Sequence, residues 1–438
     1  LIENCVVSEN EASSYGGGLY VNGTSALTLR DTIVISNTAT RAGGGMYQAS
    51  TGGSLLVLFG GRFEGNETTT SRGGGLWIAG TVVMTGTEFV NNKAAYYGGG
   101  IYQSGTTGRA ELIGGLLQAN VAGGLNGGGL GAEGTAVLSA TRVIGNRAGA
   151  LGGGVWAGTA RLTRALLADN QGARGGGLYA DLGVVMTATS VISNTAGRGG
   201  GVLGARDVDI VNSLFARNSA TVGGAAVYMF GDSPVETRLR HLTIVSPTVG
   251  TVYLRAAIMV RGQATALITN TIVGGYPYAI ETLDSGTVYE DYNLAYSLGI
   301  APFLESGGPI YSGGHSLLNV DPHFLNPDED DYHLGAGSAA MDAGLDVGVA
   351  EDIDGDARLP GLPPDIGADE SPYALVVQGG AVAFEAVADQ GSGGIQGGFA
   401  DAQPILRGRE VVGYRRGDGR TRIRVETGSG DFRIEPLR

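Results

Sequence analysis

Residues 34–47 read VISNTATRAGGGMY, and this stretch contains both of the short motifs that decide the fold. Val34 stands three positions before Asn37, and a glycine triplet at 43–45 leads into the aliphatic–aromatic pair Met46 and Tyr47. Both motifs recur along the chain. Glycine triplets begin at 16, 43, 73, 98, 127, 152, 175 and 199, which is 23–30 residues apart, and a degenerate copy starts at 223. The apolar–asparagine pairs are Val7/Asn10, Val34/Asn37, Phe63/Asn66, Phe89/Asn92, Leu117/Asn120, Val143/Asn146, Leu167/Asn170, Val191/Asn194 and Phe215/Asn218.

A repeat of this length with three short apolar runs is typical of one turn of a parallel β-helix. After the first triplet these runs are 19–21, 27–29 and 33–35. Branched and aromatic residues fill them, and we find no helical periodicity. The sequence therefore predicts an all-β fold. Residues 1–300 would form a right-handed parallel β-helix with about 11–12 coils, spaced ~4.8 Å apart.

The nine asparagines occupy one position of the repeat, so we expect them to share one bend. Asparagine tolerates the positive φ that bends require. At a coil spacing of ~4.8 Å, each side-chain amide can hydrogen-bond to the equivalent amide one coil away. The sequence thus predicts a structural ladder of asparagines. The residue after each triplet, such as Leu19 or Met46, should point into the core.

An aromatic residue usually follows that inward position, and alternation along a strand should turn it outward. A stripe of exposed rings would offer sugars a stacking platform, or the rings would pack on one another as a structural ladder. The sequence alone leaves both alternatives open. The members of the stripe are Tyr20, Tyr47, Trp77, Tyr102, Trp156, Tyr179 and, one residue late in the degenerate copy, Tyr228.

The paired motifs of residues 1–230 resemble the repeats of polymorphic outer-membrane proteins, which combine a Phe-x-x-Asn motif with Gly-Gly-Ala-aliphatic. This chain has a third glycine where that family has alanine, and phenylalanine fills only three of the nine apolar sites. The resemblance implies a β-helical passenger domain and an adhesin-like surface protein.

Residues 320–370 contain a second set of motifs: VDPHF at 320–324, DYHL at 331–334, GSAAMDAG at 337–344, DIDGDAR at 352–358 and DIGADE at 365–370. Together they resemble the choice-of-anchor Q domain, although Ala340 and Met341 replace that family's usual Pro and Ile. The resemblance implies a surface or secreted protein with a variable anchor and no enzyme activity. We assign residues 301–370 to this C-terminal segment. Its residues 320–370 should close the C-terminal end of the solenoid and cover its open edges.

Three aspartates of this segment, Asp352, Asp354 and Asp356, alternate around Gly355. Such carboxylates can converge on calcium, which prefers six to eight oxygen ligands. Alternatively they form a polar turn in which Asp caps backbone amides and pairs with Arg358. Calcium is therefore the one cofactor that the sequence suggests.

Residues 371–438 predict an additional β module or cap. Two Gly-Ser-Gly motifs begin at 391 and 428, and residues 421–427 alternate as a strand does. These two motifs resemble the SGD-type repeats of a bacterial adhesin family.

The composition limits which partners the chain can have. Its 438 residues have a net charge of −14, which argues against nucleic acid, and its one cysteine excludes a disulfide framework. No apolar run approaches ~18 residues, so no transmembrane helix is predicted. Residue 1 falls inside a coil, and we interpret this as a chain that begins after a processed or unseen N-terminus.

These observations favour an exported bacterial solenoid at the cell surface or outside the cell. It would act as an adhesin-like or structural protein that contacts a glycan or a neighbouring cell, with self-association through the solenoid ends as a further possibility. The alternative is a polysaccharide lyase or glycoside hydrolase acting in a β-helix groove. The best carboxylate pair in the repeats is Asp207/Asp209, which is more typical of a solvated strand face than of a catalytic dyad.

Overall fold

The computed structural model describes residues 1–23, 26–49, 55–246, 256–358 and 363–371, and beyond them six strands between residues 384 and 434. The chain is a parallel β-solenoid of about 12 turns, so the predicted all-β solenoid is confirmed. Twenty-nine strands join through parallel pairings into one continuous sheet system. Among the described residues the only helix is a short 3-10 turn at Pro327–Glu329.

Each coil contributes to three columns of strands that stack on the equivalent strands of the neighbouring coils. The first column follows the glycine triplet, the second comes next, and the third holds the apolar residue of the asparagine motif. Separate strands of the first and second columns are Ile2–Glu3, Leu19–Asn22, Leu27–Arg30, Met46–Ala49, Leu55–Phe59, Val202–Gly204, Tyr278–Leu283, Thr287–Asp291, Ala301–Glu305 and Ile310–Ser312. In other coils these two columns run together as Leu76–Thr85, Ile101–Ile113, Leu130–Ser139, Val155–Thr163, Leu178–Thr187 and Ala256–Thr269.

The third column consists of short strands that continue to the last coil. They are Val6–Ser8, Ile33–Ile35, Arg62–Glu64, Glu88–Val90, Leu116–Gln118, Arg142–Ile144, Leu166–Ala168, Ser190–Ile192, Ile272–Gly274, Leu294–Tyr296 and Leu317–Leu318, with two longer strands, Asp207–Ala216 and Val227–Val245, that include it. Two-residue strands after the asparagines form a minor column: Glu11–Ala12, Thr38–Ala39, Glu67–Thr68, Lys93–Ala94, Val121–Ala122 and Arg147–Ala148, followed by Thr195–Arg198 and Ser219–Gly223. The coils thus extend to Leu318, past the boundary at 300 that the sequence suggested.

A narrow apolar core fills the solenoid. The residue after the triplet points inward, as at Leu76, Ile101 and Leu130, which are completely buried. The apolar residues of the asparagine motif stack beside them, and the rings of Phe63 and Phe89 lie 4.7 Å apart and nearly parallel. Burying one such side chain stabilises the fold by roughly 1.5–3 kcal/mol. Because every coil repeats these positions, the core is continuous from end to end.

The glycine triplet solves two backbone problems in each coil. The first glycine, for example Gly98 with φ +60°, adopts a left-handed conformation that other residues disfavour. The second lies against the next coil, and a Cβ at Gly99 would be 2.5 Å from the carbonyl oxygen of Gly128. The third is restricted in the same way as the second, since a Cβ at Gly100 would be 2.6 Å from the carbonyl oxygen of Gly129.

The bend at the asparagine differs from the expectation that asparagine itself would take the positive φ. The positive φ falls instead on the residue before it, as at Asp169 with φ 56° and Ser193 with φ 55°. Asn170 and Asn194, which follow these two residues, have no positive φ. The tolerance of asparagine for left-handed backbone is therefore not the reason for its place in the repeat.

The asparagines do form the predicted ladder, as a continuous column of hydrogen bonds. The side-chain nitrogen of Asn37 donates to the Oδ1 atom of Asn66 at 3.0 Å, and the Asn37 backbone N–H donates to the same oxygen at 3.0 Å. This pair of bonds repeats at every step between consecutive members, which are Asn10, Asn37, Asn66, Asn92, Asn120, Asn146, Asn170, Asn194 and Asn218. The amide is buried in each member after Asn10. The asparagine is therefore needed for its amide, while the neighbouring residue makes the bend.

Residues 320–358 and 363–371, which we call the strap, fold back along the side of the coils. The strap begins with a hairpin of Phe324–Asn326 and Asp331–Leu334. Both the backbone and the side chains of the strap bind the coils. The Asn270 amide donates to the Leu345 carbonyl at 2.7 Å, and the Ala368 N–H donates to the Thr243 hydroxyl at 3.1 Å.

The prediction that this segment closes the C-terminal end is wrong. The outer face of the third column becomes apolar in these coils, at Leu166, Leu214, Ile272 and Leu294, and the strap covers it. Burial of this face along the side of the rod, and not of the rod's end, sets the position of the strap.

The last strands, Phe384–Gln390, Ile395–Gly397, Gln403–Arg407, Glu410–Arg416, Thr421–Thr427 and Phe432–Ile434, form two further small sheets. The strand expected at 421–427 is present and pairs in parallel with Phe384–Gln390. The Gly-Ser-Gly motifs at 391–393 and 428–430 lie outside the described residues.

Candidate functional site

All seven residues of the predicted aromatic stripe lie in one register of the first column. Tyr20 pairs with Tyr47, Tyr47 with Trp77, and the alignment continues coil by coil to Tyr228. The apparent offset of Tyr228 disappears because Gly224, with φ +62°, takes the place of the first glycine in that coil. The degenerate triplet is therefore Gly224-Ala225-Ala226.

In the first three coils the rings stack on one another. The ring centroids of Tyr20 and Tyr47 are 5.5 Å apart with 6° between planes, and those of Tyr47 and Trp77 are 4.4 Å apart with 13°. Tyr15 packs against Tyr47 at 4.6 Å. We call Tyr15, Tyr20, Tyr47 and Trp77 the aromatic column. Because the rings cover one another's faces, the column presents mainly ring edges and hydroxyl groups, and Tyr20 is 54% exposed.

Further along the solenoid the rings are covered, which corrects the expectation of one exposed stripe. Tyr102 is 1% exposed, and Tyr179 and Tyr228 are also buried. The Tyr102 hydroxyl donates to Glu133, and the Arg72 guanidinium lies 5.1 Å from the centre of its ring. Burial first, and then the hydrogen bond to Glu133, raise the pKa of the Tyr102 hydroxyl, so this group stays neutral.

The rest of the stripe packs as a separate cluster outside the core. Tyr179, Leu203, Tyr228 and Met259 are buried together, and Trp156 packs against them. The Trp156 ring nitrogen donates to Asp181 at 3.0 Å. Here the rings serve as structural packing, one of the two alternatives that the sequence left open.

The three aspartates proposed for calcium do not converge. Asp352 is buried, and its Oδ1 atom accepts the backbone N–H groups of Asp354, Gly355 and Asp356 at 2.8–2.9 Å. Its other oxygen accepts the N–H of Glu370 at 2.9 Å. The geometry is that of the polar turn. Arg358, expected to pair with these aspartates, instead binds Glu370.

Between the strap and the coils lies a cavity of about 500 Å³. Its coil side is largely apolar, and its strap side is polar and titratable. The residues that define it are Leu166, Leu214 and Thr243 on the coils and Asp330, Tyr332, His333, Asp354 and Asp369 on the strap.

Three of these side chains bring their ligand atoms within 4.8 Å of one another: His333, Asp354 and Asp369. The His333 Nε2 atom lies 3.0 Å from Asp354 and its Nδ1 atom 2.5 Å from Asp331. The hydrogen bond to Asp354 raises the pKa of His333 to about 10. Asp369 is 6% exposed, and burial raises its pKa to about 6. Of these three residues only Asp354 was predicted from the sequence to bind a metal, and its predicted partners were Asp352 and Asp356.

The carboxylate pair considered for catalysis lies in a groove of about 410 Å³ on the outer face of the second column. Asp209 receives a hydrogen bond from Arg240 at 2.8 Å, and Glu236 receives one from Arg238 at 2.5 Å. Ion pairs of this kind at an accessible surface contribute little energy. They are the ordinary pairing of a solvated strand face.

Residues 86–104 match the Chlamydia polymorphic membrane protein repeat. In the structure this stretch contains Phe89 and Asn92 and continues through the triplet at 98–100 to Tyr102. No protein of curated function matches the chain. Among the residues that the structure describes, no helix has the length and apolar character needed to cross a membrane.

Proposed function

We propose that this chain is a surface-exposed, adhesin-type β-solenoid of a bacterium, which acts through contact and not through catalysis. The observation that carries the proposal is the matched repeat, because its asparagine and glycines are the residues that build every coil from Asn10 to Asn218. One coil resembles the polymorphic membrane protein repeat in sequence, and the neighbouring coils repeat its structure. The motifs of residues 320–370 support the same location.

Location at the cell surface can be tested through Cys5, the only cysteine of the chain, which is exposed. A maleimide that cannot cross membranes should label Cys5 on intact cells of the producing bacterium as fully as after lysis. The Cys5→Ser variant is the matched control for labelling of other proteins. Labelling that requires lysis would contradict a surface location.

Within this function, we propose that the aromatic column contacts carbohydrate. Tyrosine and tryptophan combine an apolar ring with a polar group, a combination suited to sugar C–H and hydroxyl groups. The net charge of −14 favours neutral glycans over polyanions. The contact would be made by ring edges and by the exposed Tyr20, because stacking occupies the inner ring faces.

Tryptophan fluorescence can report on this contact directly, because Trp77 and Trp156 are the only two tryptophans. In a Trp156→Phe background, fluorescence comes from Trp77 alone and should change on titration with a glycan selected from an array. Tyr20→Ala should weaken binding. Tyr289→Ala is the matched control, since Tyr289 is 49% exposed and stacks on Tyr311 at 5.0 Å in distant coils. Equal loss in both variants, or no glycan response, would leave the column a structural ladder.

A further inference from the structure

The side chains of His333, Asp354 and Asp369 come from three separate parts of the strap. His333 lies on the strand Asp331–Leu334, Asp354 on the turn built around Asp352, and Asp369 near the end of the strap. Each is therefore held by a different local structure. Their convergence at one wall of the 500 Å³ cavity does not follow from proximity in sequence.

The supporting contacts orient these side chains as they are oriented in metal centres. Metal-binding histidines usually direct one ring nitrogen to the metal, and the other donates to a carboxylate. Here Nδ1 of His333 faces Asp331 at 2.5 Å, which is the supporting contact, and Nε2 faces Asp354 at 3.0 Å. A metal ion would take the place of the proton that now lies between Nε2 and Asp354. Asp369 accepts the Leu334 N–H through Oδ2 at 2.7 Å. Among the described residues no donor binds its other oxygen, and Asp369 lines the cavity.

We propose that His333, Asp354 and Asp369 form a binding site for a divalent transition metal ion, with the fourth position open to the cavity. One imidazole and two carboxylates suit zinc and similar ions, whereas calcium and magnesium prefer oxygen ligands alone. Ligands held ~2.0–2.2 Å from a tetrahedral ion are about 3.3 Å apart. The present separations of up to 4.8 Å therefore close with small side-chain rotations.

Such an ion would also tie the strap together across three loops. One ion would be bound by the hairpin, the Asp352 turn and the last residues of the strap together. It would lie directly beside Leu166 and Leu214 of the coils. The ion would hold the strap in its folded form, because the three ligands are close together only when the strap is folded.

The site can be tested with Zn²⁺ and Co²⁺ on the full chain. We expect isothermal titration to give one Zn²⁺ per chain, and Co²⁺ to give the visible absorption of a four-coordinate site. His333→Ala should abolish both signals, and Asp331→Asn should weaken binding about 10–100-fold. The matched control is His315→Ala, because His315 also pairs with an aspartate, Asp291 at 3.0 Å, outside the cavity.

A second measurement needs no variant. Zn²⁺ should slow hydrogen exchange at the imidazole C2 position of His333 in the native chain, as read by peptide mass spectrometry, and should leave this exchange at His315 unchanged. The proposal is overturned if zinc binds with the same stoichiometry to the His333→Ala chain or if zinc leaves the exchange rate of His333 unchanged. Displacement of zinc by an equal concentration of Ca²⁺ would overturn the choice of metal class.

Discussion

Replacing Asn120 by alanine should be among the most destabilising single changes in the coils. Its side chain donates to the Phe89 carbonyl at 2.9 Å and to Asn146 at 3.0 Å, and accepts two hydrogen bonds from Asn92 at 2.9 and 3.0 Å. All four hydrogen-bonding positions of the amide are thus used. Asn120→Ala leaves two buried donors of Asn92 without an acceptor. At ~1–3 kcal/mol for each, we expect a loss of about 4 kcal/mol.

Urea unfolding followed by tryptophan fluorescence measures this loss, because Trp77 and Trp156 lie on either side of the altered coil. Hydrogen exchange should show in addition that the amide N–H of Asn92 loses protection. The matched control is Asn10→Ala at the exposed end of the ladder, for which we expect less than about 1 kcal/mol. Equal midpoints for the two variants would refute the argument that buried amides hold the coils together.

Three further predictions follow from other positions. Gly99→Ala should cost more than ~3 kcal/mol in urea unfolding, because its Cβ would meet backbone at 2.5 Å, whereas Gly183→Ala, with its closest contact at 3.5 Å, should stay within ~1 kcal/mol. Burial holds the pKa of His241 at about 3, below its ordinary value of ~6.5, so its contribution to stability is present above pH 6.5 and is lost as pH falls toward 3. The melting temperature of His241→Asn should therefore fall less than that of the native chain between pH 6.5 and 4, and parallel curves would contradict this. Asn270→Ala should expose the strap to proteolysis while the coils stay intact, because the Asn270 amide binds both the N–H and the carbonyl of Leu345 at 2.7–2.8 Å; cleavage at the native rate would contradict it.

The coils were predictable because every coil must meet the same physical requirements. One position of the repeat needs a left-handed φ, another lies too close to neighbouring backbone for a Cβ, and a third needs a buried amide. Because the coils repeat, each restriction appears as a pattern in the sequence. Tyr228 shows how this can mislead at a single coil. In the sequence, Gly223 aligns with the first glycine of the triplets. In the structure, the left-handed φ required of that first glycine falls on Gly224, where φ is +62°.

Exposure of the aromatic residues could not be predicted from one strand's alternation. Alternation correctly predicts that Tyr47 and Tyr102 lie on the same outer face. It does not predict which other side chains lie on that face. Arg72 and Glu133 reach Tyr102 from the two neighbouring coils, and Tyr97 packs against it from the same coil. Burial outside the core is decided by these long-range contacts.

The position of the strap does have a signal in the sequence. At the first position of the third-column strands, charged residues occur only in early coils, where Arg62, Glu88 and Arg142 alternate with apolar residues such as Leu116. From Leu166 onward the position holds Leu166, Ser190, Leu214, Thr243, Ile272 and Leu294, with no charged residue. An outward position that loses its charged residues is typical of a face that is covered. The motifs of residues 320–370 show where the strap lies in the chain. This change of polarity indicates which face of the solenoid it covers.

The two halves of the rod therefore differ in what their outer faces can do. From Leu166 onward the third column is covered by the strap, and the stripe residues from Tyr102 onward are buried, except for the partly buried Trp156. Ring edges of the stripe remain accessible mainly in the first three coils, around Tyr20 and Trp77. Contact with a partner and attachment of the strap thus use separate coils of one continuous core. A change such as Tyr20→Ala should for this reason alter binding while the strap stays attached, whereas Asn270→Ala should release the strap while binding is kept.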